Sequence, residues 1–279
     1  MIPSNPNKTL TIEGNWLAEV NRRFARVARA MRQIPLSSIR TNISDADMRE
    51  INEFIQRFRA HIVAIVMQEN WFWRYQDLAY GRGVEQVNKS LRAQLRNQAG
   101  AFTDLTKTEI SIIMTMEGHR NQRERLQERS ELSMNRYITT LLDATKNILH
   151  EQKGIVAVPD IHKSIAERIN ATKSSARKLA SYEVSQAHKI ASVTHAQELQ
   201  VRTDTELEML WITQDDSRVR QRHASWHLVT MSLEQAARNI TVNPFNCRCG
   251  LKAIVAGSLT DKQKAMFKRE RQQLTALVA

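Results

Sequence analysis

The sequence predicts a mainly α-helical protein, with long helices in the N-terminal region and a small C-terminal α+β domain. Three observations carry that prediction. Glycine and proline are scarce, 8 and 5 among 279 residues, which disfavours a sheet-and-turn protein. Apolar residues recur every three or four positions over long stretches before residue 204, the spacing of one helix face. Beyond residue 204 the composition shifts to short alternating runs, the spacing of a strand. The chain is therefore read as a helical region over 1–152, a connecting long helix over 153–204, and an α+β domain with a basic terminal helix over 205–279.

The elements follow in order. Trp16, Val20, Phe24, Val27 and Met31 mark a short basic helix over 15–33. Pro35 and the polar stretch after it break the pattern. Ser44 or Asp45 can cap a second helix, whose stripe is Met48, Ile51, Ile55, Phe58, Ile62, Ile65 and Val66. That helix is expected to end in the aromatic cluster Trp71, Phe72, Trp73 and Tyr75, with Gly81 and Gly83 as a left-handed stop. The cluster reads as core or protein interface, since no stacking pattern for nucleobases accompanies it.

Val84, Val87, Leu91 and Leu95 predict a helix over 84–98, and a longer one covers roughly 106–150. In its middle, Arg120 to Glu131 is dense in charges of both signs, as on an exposed, salt-bridged helix face. Ile155 to Pro159 reads as an extended connection. Asp160 then caps a helix reaching about 201, in which Ala176, Ala180, Ala187 and Ala191 allow close packing. Leu207, Met209 and Trp211 alternate as a strand. Asp215-Asp216-Ser217 is a turn and helix cap, Arg218 to Trp226 a short helix, and Leu251 to Val255 a second strand. Thr260 or Asp261 caps the last helix.

The net charge of +12 implies an anionic partner (nucleic acid, an acidic protein face or a membrane surface), the alternative being a basic protein that simply stays soluble. Two clusters concentrate it. Arg22, Arg23, Arg26, Arg29 and Arg32 fall in a stretch without acidic residues from Val20 to Ser44, and Lys262, Lys264, Lys268, Arg269 and Arg271 crowd the last helix. Each is either a contact to phosphate or an acidic partner, or a solvated helix face. No apolar run of membrane-spanning length occurs, and Met1 to Pro6 carries no apolar signal core. Cys247 and Cys249 are too close in sequence for an unstrained disulfide, so reduced thiols are expected, as in a cytoplasm.

The most informative block is the ordered set Trp211-Ile212-Thr213, Asp215 and Asp216 with Arg218-Val219-Arg220, then His223, then Asn246-Cys247-Arg248-Cys249 leading into a strand. It resembles the C-terminal domain of Mu F-like phage head-morphogenesis proteins. The segment Ala180 to Ala187 resembles the helix leading into that block. The resemblance covers about a quarter of the chain. The family carries a glycine a few residues after the histidine; here His227-Leu228-Val229-Thr230 stands instead, so a different turn is expected. The resemblance implies a minor capsid component that is not an enzyme, works with the portal, other head proteins and packaged double-stranded DNA, and resides in the virion after assembly in the host cytoplasm. On that basis the apolar stripes of the N-terminal helices are candidate docking surfaces, and no small-molecule substrate or membrane is expected.

Within the block, an Asp at a helix start satisfies free N–H groups and can pair with Arg218 or Arg220. Trp211, Thr213, Asp215, Asp216, Arg218, Arg220, His223, Asn246, Cys247 and Cys249 form the expected structural cluster. A sharper reading takes His223, Cys247 and Cys249, with Asp216 as a fourth, as ligands of a structural Zn²⁺. Against it, the cysteine spacing is tighter than the usual two-residue knuckle, and both can be small buried side chains beside a structural histidine. A Cys–His nucleophilic pair is conceivable. The rival from another class is a metal-dependent nuclease using Asp215, Asp216, His223 and the cysteines; a second is a general DNA-binding protein of a host. His61, His119, His150, His162, His188 and His195 read as surface or packing residues on helices.

Overall fold

The structure is a computed structural model that describes residues 9–36, 45–95, 104–152, 157–214, 217–241, 247 and 249–279. The described elements are α1 (Leu10–Gln33), α2 (Asp45–Val66), α3 (Trp71–Gln94), α4 (Lys107–Thr115), α5 (Glu117–Gln152), α6 (Val158–Thr203), β1 (Leu207–Ile212), α7 (Gln221–Ser225), β2 (Val229–Ser232), α8 (Leu233–Thr241), β3 (Gly250–Val255) and α9 (Asp261–Val278). The fold is mainly α with a small C-terminal sheet, as the sequence predicts. The chain divides into two compact units, one of residues 1–13, 75–127 and 181–279, the other of 14–74 and 128–180. These interleaved units do not coincide with the sequential segments 1–152, 153–204 and 205–279.

The second unit has an apolar core. Trp16, Val20, Phe24, Val27 and Met31 of α1, Ile51, Phe54, Phe58 and Ile62 of α2, and Ile161, Ile165 and Ile169 of α6 are all buried. The stripes expected as docking surfaces are thus occupied inside this unit. Between α2 and α3 the chain kinks at Glu69, whose φ of 65° lies in the left-handed region. The kink leaves the last carbonyls of α2 without helical partners. Arg23 and Trp71 satisfy them: Arg23 donates to the Ile65 carbonyl at 2.5 Å and the Trp71 indole to the Val66 carbonyl at 2.6 Å. The aromatic cluster therefore starts a helix and does not end one.

In the first unit α3 runs straight through Gly81 and Gly83. A Cβ on Gly83 would lie 2.4 Å from the His188 carbonyl oxygen and 2.8 Å from Cβ of Ala191. The glycine serves close approach to α6 and not a helix stop, and no separate helix begins at residue 84. The helix expected over 106–150 is two. α4 is opened by a capping box between Thr106 and Glu109, and Met116 at ψ 146° separates it from α5.

The sheet is antiparallel with order β2-β1-β3. Trp211 faces Val229 on one side and Leu251 on the other. β2 and α8 were not anticipated, since four residues are too short a run for a period-two signal. One side of the sheet carries Met209, Trp211, Met231, Leu251 and Ala253, buried with Leu199, Ala236, Cys247 and Cys249. The other side packs Leu210, Leu228 and Ile254 against Phe267 of α9. Of the two residues expected to cap α9, Thr260 does so, in a capping box with Gln263.

Candidate metal centre

The first-unit stretch of α6 sets the chemistry of the site. Every residue from Tyr182 to Lys189 is buried, so this helix has no solvent face there. A helix buried all round is ordinarily apolar, yet this one carries Glu183, Ser185, Gln186, His188 and Lys189. Each polar group then needs a partner. Glu183 accepts from the Gln76 amide at 3.1 Å, Ser185 donates to the Cys247 carbonyl at 3.2 Å, and His188 Nε2 meets Gln86 Oε1 at 2.8 Å. Burial, reinforced by the charges of Lys189 and Arg82, lowers the His188 pKa to about 3 and keeps the ring neutral.

Lys189 reaches the centre of the site. Its Nζ lies 3.5 Å from Sγ of Cys247. His223, on α7, places Nδ1 3.4 Å from Sγ of Cys249 and 3.6 Å from Sγ of Cys247. These three ligand atoms lie within 4.8 Å of one another, and all three residues are buried. The His223 ring stacks on Trp226, with centroids 5.5 Å apart and planes 13° apart, and meets the Trp211 edge at 6.0 Å. The Arg222 guanidinium lies over the Trp226 ring, 4.8 Å from its centroid. The thiol pair is polarised. Hydrogen bonding from Cys249, aided by the Lys189 charge and opposed by burial, holds Cys247 well below the usual thiol range; Cys249, donating to it and buried, is pushed up.

The buried His-Cys-Cys group can hold a metal. Tetrahedral zinc with Zn–S of about 2.3 Å and Zn–N of about 2.0 Å separates N and S ligands by roughly 3.5 Å, and the two N···S distances bracket that value.

The other predicted residues distribute differently. Trp211, His223, Cys247 and Cys249 converge as expected. Thr213 is buried but pairs with His227, its Oγ1 2.8 Å from Nδ1, and so braces the β1 end instead of joining the thiol cluster. Arg218 and Arg220 are exposed, and Arg220 itself is the N-cap of α7. The helix thus starts beyond the acidic pair that was expected to cap it. Asp215, Asp216 and Asn246 lie outside the described residues. The turn after the histidine takes φ +56° at Leu228, a conformation that favours glycine. Leucine is held there by burial and by its N–H bond to the Trp211 carbonyl at 2.7 Å.

Of the basic clusters, Arg26, Arg29 and Arg32 are exposed, as are Lys262, Lys264, Lys268 and Arg269. Arg22 is exposed and paired with Glu19. Arg23 corrects the expectation of an outward contact: it is buried, tied to Glu19 and the α2 carbonyls, with its guanidinium 4.9 Å from the Trp71 ring centroid. Arg271 is half-buried and donates to the His227 carbonyl at 3.5 Å. Lys189 escaped sequence reasoning. Its signal was a lysine amid small and apolar residues on a helix leading toward the cysteines, but nothing in the spacing pairs it with a thiol.

Compared with known protein families, curated proteins and solved structures, the chain matches none. Among the described residues, no helix is long and apolar enough to cross a membrane.

Proposed function

We propose that this chain is a minor head-morphogenesis component of a tailed bacteriophage or prophage, with no catalytic role of its own. In this reading a structural zinc held by His223, Cys247 and Cys249 braces the small α+β fold. The exposed arginines of α1 and lysines of α9 meet packaged double-stranded DNA without sequence preference, releasing counterions as they neutralise phosphate. The partners are the portal and other head proteins; the protein assembles in the host cytoplasm and stays in the virion.

The observation that carries the reading is the convergence of Trp211, His223, Cys247 and Cys249, residues spread over some forty positions that share the order resembling Mu F-like proteins. The chain departs from that family in having no glycine over His227-Leu228-Val229-Thr230, where Leu228 takes a left-handed backbone. The charge of +12 is of the sign that DNA contact requires.

Mass spectrometry of purified particles tests the proposal. The polypeptide is expected in intact heads and absent from heads assembled without its gene, with head yield reduced in the latter. Particles that form normally and never contain it would overturn the assignment. The nuclease alternative makes the opposite forecast: metal-dependent DNA cleavage by the purified protein, lost in Asp216→Ala and His223→Ala.

A further inference from the structure

A second group of ligand-type side chains lies elsewhere in the first unit and contains no sulfur. His119 sits near the start of α5; His195 and Glu198 sit one turn apart near the end of α6. One ligand atom from each falls within 4.8 Å of the others. His119 is 0% exposed and His195 2%. The two imidazoles lie with centroids 5.6 Å apart.

Each ring is held by one nitrogen and left open at the other. His195 Nε2 lies 3.1 Å from Asn88 Oδ1. The amide oxygen only accepts, so Nε2 carries the proton and Nδ1 is left with a lone pair. That Nδ1 is buried and has no hydrogen-bond partner. His119 Nδ1 lies 2.9 Å from the Tyr80 hydroxyl, and its Nε2 is buried and likewise without a hydrogen bond. A buried ring nitrogen without a hydrogen bond is costly, and here two occur on adjoining rings.

Glu198 adds the distinguishing detail. Its Oε2 is 3.0 Å from His119 Nε2, yet the two do not align as donor and acceptor. Ligands sharing one tetrahedral ion do the same: with bonds of about 2.0–2.2 Å their donor atoms lie roughly 3.3 Å apart, and their lone pairs point at the ion and not at each other. Gly118 leaves room for this carboxylate, since a Cβ there would come within 3.2 Å of Glu198 Oε1. Two cations lie nearby: Arg123, which is engaged by Asp77 through two bonds of 2.9 Å, and Arg202, whose charge acts on His195 and Glu198.

We propose that His119, His195 and Glu198 form a second metal site, for a divalent first-row cation of the zinc class, with Asn88 and Tyr80 orienting the two imidazoles. Two nitrogens and a carboxylate suit Zn²⁺, Co²⁺ or Ni²⁺ and disfavour the all-oxygen cations. The Glu198 side chain is 27% exposed, so the ion has a route from solvent.

Cobalt distinguishes this site from the cysteine centre, because only thiolate ligation gives an intense near-ultraviolet charge-transfer band. The full-length protein is stripped with a chelator, dialysed against Co²⁺, and assayed for bound metal and spectrum. The wild type is expected to hold one equivalent without the sulfur band, in addition to any that carries it. Glu198→Gln, isosteric and part-exposed, should lose that equivalent and leave the sulfur band unchanged. Cys247→Ser/Cys249→Ser should do the reverse. Asn88→Ala should weaken the sulfur-free site about 10- to 100-fold. A wild type that binds no sulfur-free cobalt, or a folded Glu198→Gln that binds as much as wild type, overturns the proposal whatever the cysteine centre does.

Discussion

The two compact units solve the problem of a helical interior in opposite ways. In the unit of residues 14–74 and 128–180, the described interior is mostly aromatic and aliphatic; buried Arg23 is spent on a carbonyl at a helix end, and Asp47, Ser130 and Thr145 are also buried. The other unit buries His119, Glu183, Gln186, His188, Lys189, His195, His223 and His227, with a three-stranded sheet beside them. The first kind of interior is stabilised by apolar burial and close packing and tolerates no cavity. The second depends on every polar group finding its partner, and it is there that candidate ligands gather. A single chain thus joins a mostly apolar scaffold to a region rich in buried titratable and ligand-type side chains.

That contrast can be broken by experiment. Phe58→Ala, in the apolar unit, should destabilise by about 3–5 kcal/mol through the cavity it leaves. Urea unfolding at pH 7 and pH 5 should return the same loss, because no titrating group is involved.

Metal removal should act on the other unit. If the cysteine centre binds zinc, free zinc at about a hundredfold over its Kd stabilises by ~2.7 kcal/mol, which chelation abolishes. Thermal unfolding of a Glu198→Gln background, with and without chelator, reads this for the cysteine centre alone, and adding Cys249→Ser should remove the difference.

Gly83→Ala should cost roughly 1–3 kcal/mol by forcing α3 away from the His188 carbonyl. The loss remains net despite the ~1 kcal/mol by which alanine is preferred in a helix. A neutral result in denaturant unfolding would show that the α3–α6 approach is looser than 2.4 Å implies.

The pH dependence has a definite sign. His188 titrates near 3 when folded against an ordinary 6.5, so between those values the unfolded chain holds a proton that the folded one lacks. Stability should be complete above about pH 6.5 and fall as pH drops toward 3, with a slope of about 1 kcal/mol per pH unit from this one ring. His119 and His195, lowered to about 4 and about 3 chiefly by burial, act in the same direction. His188→Gln should flatten the slope measured from pH 6 to 4.

The smallest effect belongs to the scaffold unit. Gly14→Ala, in α1 with nothing within 4 Å of the added methyl group, should stabilise by ~0.5–1 kcal/mol in the same unfolding assay.

The stripes of α1, α2 and α6, the position of β1 and β3, and a cap at the start of α9 were set by local chemistry and could be read from the order of residues. Periodicity and capping act within a few positions of the chain, so they leave a trace there. The same holds for the set Trp211, His223, Cys247 and Cys249, whose residue types suggested a shared site. What tertiary packing alone decided is which helix approaches which. It turned Gly83 from a stop into a contact, drew Arg23 inside, split one expected helix at Met116, and brought Lys189 to Cys247 across 58 positions. It also set His119 against His195 and Glu198. Such pairings depend on contacts between distant segments, and no spacing within a segment encodes them.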